Sequence, residues 1–237
     1  MKVNHIYKLF PNTYKNIRFF FFFYIVNNFF KLFQLKKGTL LYLGVNEGDT
    51  LTKIFYKFEK VICVEGSPKL CTILKKKFST KTVKIYNFLI GNKNKKFSYL
   101  NVYKSDFTNA SLDVKVNDKI KYRVIVKTIR TDALLKKLKI KYIDYYHSDL
   151  EGLDYIALKA CKNFIKNKRI LHIHHECTID GKQNPYKKFK NYEYLFNNLL
   201  KRNYNKLASG FGKLQIGVHE KMSPKSTFKD ILWQVKN

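Results

Sequence analysis

The chain has 237 residues, enough to bury a full hydrophobic core, and a single α/β domain is the default expectation at this length. Its four cysteines lie in or beside apolar runs without close pairing, which argues against a disulfide scaffold or a cysteine zinc site and for buried free thiols in a reducing compartment. The formal charge of +30, from 47 basic and 17 acidic residues, attracts polyanions and acidic membranes, but the lysines are scattered and make no single nucleic-acid motif.

Residues 1–37 are set apart as an N-terminal helical extension rich in phenylalanine, and residues 38–237 as the catalytic domain. The uncharged run from Phe19 to Phe30 is interrupted by Asn27 and Asn28 and is shorter than a spanning helix requires. It reads as a helix packed across a sheet edge, with contact at a membrane surface through its flanking Lys and Arg as the second reading. The expected location is cytoplasmic, at most peripheral to a membrane.

The stretch Thr39-Leu-Leu-Tyr-Leu-Gly44-Val-Asn46-Glu-Gly48-Asp49 reads as a buried strand, a tight turn and a helix start. Gly44 and Gly48 supply backbone freedom, and Asn46 is the non-glycine type that best tolerates positive φ. The next apolar run, Lys60-Val-Ile-Cys-Val-Glu65, ends in an acid ~20 residues after the glycines. That is the spacing of a nucleotide crevice in which the acid accepts ribose hydroxyls.

Farther along, Leu51, Ile54, Phe55 and Phe58 recur at helical spacing. Gly66-Ser67-Pro68 starts a second helix with Leu70, Ile73, Leu74 and Phe78 on its apolar face. Residues 83–90 read as a third strand, and 96–103 and 122–128 as antiparallel additions around a loop containing Asn109-Ala110-Ser111. A short helix follows at 132–138, a strand at 142–148, a helix at 154–165, a strand at 170–175 and a long amphipathic helix at 186–201. Residues 211–218 suggest a hairpin arm. Strands alternating with helices predict a Rossmann-like, mostly parallel sheet covered on both faces, with ligands outside the carboxyl ends of its strands.

That rule brings a third group into the crevice, His147-Ser-Asp149-Leu-Glu151-Gly152-Leu-Asp154, where three acids and a histidine fall within eight residues. Asp149 or Glu151 there can act as a general base, hold a hydroxyl or a divalent ion, or simply stabilise the positive end of a helix.

Taken in order, Gly44-Val-Asn46-Glu-Gly48, Val64-Glu65-Gly66-Ser-Pro68, Asn109-Ala-Ser111-Leu, Lys127-Thr-Ile-Arg-Thr-Asp132 and Asp149-Leu-Glu151-Gly152 resemble the FkbM-type methyltransferases. The resemblance implies a class I methyltransferase fold, S-adenosylmethionine as cofactor, and methyl transfer to a hydroxyl of a sugar, glycan or small molecule. By the same resemblance Gly44, Asn46, Gly48, Asp49, Glu65, Gly66 and Asp149 bind the cofactor. Asp149, Glu151 and His147, in that order, are the candidates to take the acceptor's proton. Where the family has Asp this chain has Tyr42, and where it has Lys before the signature this chain has His147. RNA as acceptor, drawn by the basic surface, is the alternative; a binding domain without turnover, suggested by Tyr42, is another.

The run His172-Ile-His174-His175-Glu176-Cys177 carries metal-ligating residue types. Strand alternation places His172 and His174 on one face and His175 on the other, so no metal is assigned. Glu176 with a histidine is expected to close the acceptor side of the pocket, as in the family.

Overall fold

The computed structural model describes residues 38–103, 110–112, 119–210 and 227–236. The Phe19 to Phe30 run, Asn109 and the 211–218 arm lie outside them. No helix among the described residues is long and apolar enough to cross a membrane.

Strand β1 (Thr39–Leu43) is followed by α1 (Asp49–Thr52), a single 3-10 turn at Phe55–Lys57, and β2 (Lys60–Glu65). The helical spacing expected through Phe58 thus collapses to one turn of α-helix. Ile54, Phe55, Tyr56 and Phe58 are β-branched or aromatic and do little to propagate a helix. Leu51, Ile54 and Phe58 are buried all the same, because a tight connection delivers them to the core. Helix α2 (Pro68–Lys77) is well specified: the Ser67 hydroxyl accepts the Leu70 N–H at 3.3 Å, proline opens the first turn, and three lysines sit in the last. Its buried face is Cys71, Leu74 and the following Phe78, while Ile73 is exposed.

From β3 (Val83–Asn87) the chain steps through Phe88 into a second sheet. That sheet holds β4 (Leu89–Ile90), β5 (Lys95–Tyr103), β6 (Ala110–Ser111) and β7 (Ile120–Ile129), in the order β4-β7-β5-β6. The antiparallel pairing expected of β5 and β7 is there, in a separate small sheet beside the main one.

Helix α3 (Thr131–Lys137) and β8 (Ile143–Ser148) return the chain to the main sheet. The helix expected over 154–165 is broken at Cys161 into α4 (Asp154–Ala160) and α5 (Lys162–Lys166). Strand β9 (Ile170–Thr178) follows. The long helix expected from Tyr186 is confined to α6 (Glu193–Leu200), because the Tyr186 ring lies instead against the backbone of Gly152. A hairpin of β10 (Tyr204–Gly210) and β11 (Phe228–Val235) completes the sheet.

The main sheet runs β10-β11-β9-β8-β1-β2-β3. The five strands from β9 to β3 are mutually parallel, and β11 is antiparallel to both β9 and β10. This is the expected class, a mostly parallel Rossmann-like sheet with antiparallel additions. One face packs against Leu134, Leu135, Leu158, Ile165 and Phe196 of α3 to α6, and the other against Leu51, Ile54, Phe58 and Leu74. Leu40, Leu41 and Leu43 of β1 are fully buried, each worth ~1.5–3 kcal/mol, so the turn that follows rests on a rigid base. Strand order reverses between β1 and β8, and a crevice opens there at the carboxyl ends.

Candidate active site

The pairing registers put the site residues in one row. Leu43 lies beside Val64 on one side and Ser148 on the other, Ser148 beside His175, Glu65 beside Asn87, and Glu176 beside Asp230. One step toward the carboxyl edge, the row therefore reads Asn87, Glu65, Gly44, Asp149, Glu176, Asp230. With Glu151 and Asp154 just beyond β8, six of the chain's 17 acids gather at this edge.

The glycine turn is built by close approach. Gly44 has φ +79°, and a Cβ there would stand 1.9 Å from the Asp149 carbonyl oxygen, so only glycine lets the two turns touch. Their hydrogen bonds agree: the Gly44 N–H donates to Val64 O at 2.9 Å and the Asp149 N–H to Leu43 O at 3.0 Å. Asn46 takes positive φ, 54°, as its residue type allows. Gly48 also has positive φ, but it faces Leu74 and Phe78 and does not line the cleft. Asp49 lies on the surface, paired with Lys77 at 3.0 Å. Helix α1, at four residues, is too short to offer a ligand-binding N-terminus.

Glu65 anchors the turn. One carboxylate oxygen accepts the Asn46 N–H at 2.9 Å and the other the Ser67 N–H at 2.7 Å. Burial raises its pKa, and the surrounding backbone N–H groups of Ser67, Asn46 and Gly66 oppose that rise. A carboxylate has about four lone-pair sites, so accepting positions remain for a ligand. Asn87, which sequence reasoning passed over, donates through its side chain to Glu65 O and Gly66 O, both at 2.9 Å, and fixes the strand end.

Asp149 is exposed at the cleft mouth, and Glu151 takes positive φ, 51°. Glu151 is held from both sides: Ser111 Oγ donates to its carbonyl at 3.0 Å and the Tyr186 hydroxyl to its carboxylate at 2.6 Å. Ser111 belongs to the sequence motif, whereas Tyr186 lay inside a helical pattern and carried no signal. Burial pushes Asp154 up to about 7. Glu176 is raised well above the ordinary carboxylate range, first by burial and then by Asp149, Asp154, Glu151 and Asp230.

His147 does not line the cleft. Its Nδ1 meets His174 Nδ1 at 2.8 Å, and its ring stands edge-on to Tyr42 with centroids 4.1 Å apart. One of the two facing nitrogens must carry the proton and the other accept it. Burial, then His174 and His175, holds His147 well below an ordinary imidazole. Tyr42 therefore packs in T-shaped contact with a buried imidazole pair beneath the carboxyl row. His175 projects to the opposite face, stacked on Phe196 at 3.7 Å and accepting the Trp233 N–H at 3.0 Å. Among the described residues no group of three or more His, Cys, Asp or Glu is arranged to hold a metal ion, and all four cysteines are free and buried.

The cleft has a cavity volume of about 110 Å³ and is partly open to solvent. Gly44, Asn46, Glu65, Gly66, Asp149 and Glu151 line its polar side; Leu70, Phe88, Leu89, Leu100 and Leu112 line the apolar side. Asn46 Oδ1 is buried and accepts no hydrogen bond.

No family model and no curated protein matches the chain. Among solved structures it is similar to an S-adenosylmethionine-dependent methyltransferase from Clostridium acetobutylicum ATCC 824, with TM-score 0.51 and 11% identity over 99% of this chain and 98% of that one. The two share a fold. A methyltransferase FkbM from Methylobacillus flagellatus KT gives TM-score 0.48 and 12% identity, over 83% of this chain but 44% of that one. An rRNA methylase from Streptococcus thermophilus gives 0.46 and 7%, over 85% and 89%. Likeness at such identities speaks to fold alone.

Proposed function

We propose that the chain is an S-adenosylmethionine-dependent methyltransferase that methylates a hydroxyl of a sugar or other small acceptor. The observation that carries this reading is the orphaned Asn46 Oδ1, a buried acceptor on a residue that lines a cleft with an acid on one wall and an apolar strip on the other. Leaving such an atom unpaired costs about 1–3 kcal/mol, which a donor on a bound ligand recovers. Asn46 and Glu65 would hold the cofactor's polar groups, and Leu70, Phe88 and Leu89 the faces of its base.

When bound, S-adenosylmethionine supplies a methyl carbon already activated by its sulfonium. What remains for the protein is to orient an oxygen and accept its proton. Asp149, exposed at the mouth, is the proposed proton acceptor: its carboxylate would take the proton that the acceptor hydroxyl gives up. Glu176, beside Asp149 where β8 and β9 end and shifted toward its protonated form first by burial and then by the neighbouring acids, is suited to donate a hydrogen bond to a substrate oxygen. Glu151, already tied to Tyr186, shapes the turn. His147, buried and neutral, supports the row from below.

Titration calorimetry with S-adenosylmethionine tests the cofactor. Saturable binding by the native chain, weakened tenfold or more in Asn46→Ala and Glu65→Ala, is expected; no binding by the native chain would sink the reading. Asp149→Asn should lose about 10²-fold or more in turnover, with a much smaller change in cofactor affinity.

A further inference from the structure

The outer face of the small sheet is not made like a solvent face. Alternation turns Leu100 of β5 and Val126 of β7 inward, 2% and 4% exposed, and sends Phe97, Tyr99, Arg123 and Ile125 outward. Phe97 is 62% exposed, Tyr99 58% and Ile125 59%. Tyr99 lies directly opposite Ile125, and Asn101 opposite Arg123. An antiparallel sheet with one wet face normally carries polar residues there, so adjoining exposed rings mark a contact surface.

We infer that this face binds a single strand of nucleic acid, with bases stacked on Phe97 and Tyr99 and phosphates met by Lys95, Arg123 and Lys127. Three features select that occupant. Charge is the first: β5 and β7 together carry five lysines and arginines and no acid. A protein partner is a poorer fit, because interface cores are depleted in lysine. Spacing is the second: residues two apart on a strand are ~6.8 Å apart, two steps of stacked bases. The third is orientation. Arg123 Nε donates to Asn101 Oδ1 at 3.1 Å, which fixes the guanidinium beside the rings in a shallow depression that these residues border. Aromatic rings framed by cations on an open sheet form the sequence-tolerant stacking platform of single-strand binders. This surface lies on the outside of the sheet whose other face roofs the cleft, and the inference does not depend on what the cleft transfers.

Fluorescence anisotropy with the full chain tests it, using labelled twelve-residue oligouridine, oligothymidine and a twelve-pair duplex. Single strands of either sugar should bind more tightly than the duplex at matched salt. Phe97→Ala and Tyr99→Ala should each weaken single-strand binding about tenfold with thermal unfolding unchanged. Lys95→Gln and Arg123→Gln should each flatten the slope of log affinity against log salt by about 0.7. Affinity unmoved by both ring substitutions, or a preference for duplex, would overturn the inference and leave only diffuse attraction by the net charge. Calorimetry with S-adenosylmethionine on the ring variants should match the native chain; a parallel loss there would reveal a structural effect and also overturn it.

Discussion

Tyr186 donates its hydroxyl to Glu151 across 2.6 Å, and its ring occupies the space that a Cβ on Gly152 would need, 2.2 Å from Tyr186 Cδ2. The loop after β9 is thereby fastened to the turn after β8. Tyr186→Phe removes the hydrogen bond and keeps the ring, so it should cost about 1–2 kcal/mol of stability and release the Glu151 carboxylate. Gly152→Ala displaces the ring and should cost more. Denaturant titration of the two variants gives the order, and equal losses would mean that the ring and the hydroxyl are not separable.

Gly44 and Gly181 both have positive φ, but a Cβ at Gly181 meets nothing within 4 Å. Alanine at 181 should therefore carry only backbone strain, about 1–2 kcal/mol. Alanine at 44 adds a collision with the Asp149 carbonyl and should cost about 3 kcal/mol or more. For a chain of this length each kcal/mol is about 2–4 °C, so thermal unfolding should separate the two substitutions clearly.

Acid should unfold this protein through its histidines. Burial pushes His174 and His175 down to about 3, against 6.5 for an ordinary imidazole. Between these values the unfolded chain binds protons that the folded chain refuses, so stability is fully present above pH 6.5 and falls as pH drops. Each group contributes a slope of about 1.4 kcal/mol per pH unit. Unfolding free energies at pH 7, 6 and 5 should show this, and His174→Asn should reduce the slope by about one proton. An unchanged slope in that variant would count against the assignment.

Asp154 works in the opposite sense. Burial raises its pKa from 3.8 to about 7, so the folded state favours the protonated form. That stabilisation is present at low pH and is lost as pH rises from about 4 through 7, to a total of about 4 kcal/mol at most. Asp154→Asn, which keeps an acceptor for the Leu150 N–H, should be more stable than the native chain at pH 8, with the gap closing toward pH 4. A variant less stable than the native chain at both pH values would contradict this.

Much of the frame was legible in the sequence because it is locally encoded. The bounds of β1 and β2 follow from compact apolar runs ended by glycine, and α2 from a serine cap followed by proline. Gly44, Asn46, Glu65, Gly66, Asp149 and Glu151 do line one cleft. Gly48 and Asp49 do not, because φ preference and spacing say nothing about whether a turn residue faces a ligand, the core or water. The contacts that were missed act at long range. Tyr186 meets Glu151 across 35 positions, and His174 meets His147 across 27, with no periodic signal to announce either contact. Amphipathic spacing from Tyr186 to Lys201 looked helical, yet the first part of that run serves the Gly152 contact. Alternation identified β5 and β7 as strands but could not say that they would leave the main sheet.

The row of carboxyl groups at the strand ends sorts what the rest of the molecule attracts. A chain of charge +30 draws polyanions from a distance, but Asp149, Glu151 and Asp230 stand along the edge of the cleft that a substrate would cross. Within a screening length of about 8 Å that edge disfavours phosphate and tolerates an uncharged hydroxyl. Capture and admission are thus governed by charges of opposite sign, and raising ionic strength should weaken the first while relaxing the second.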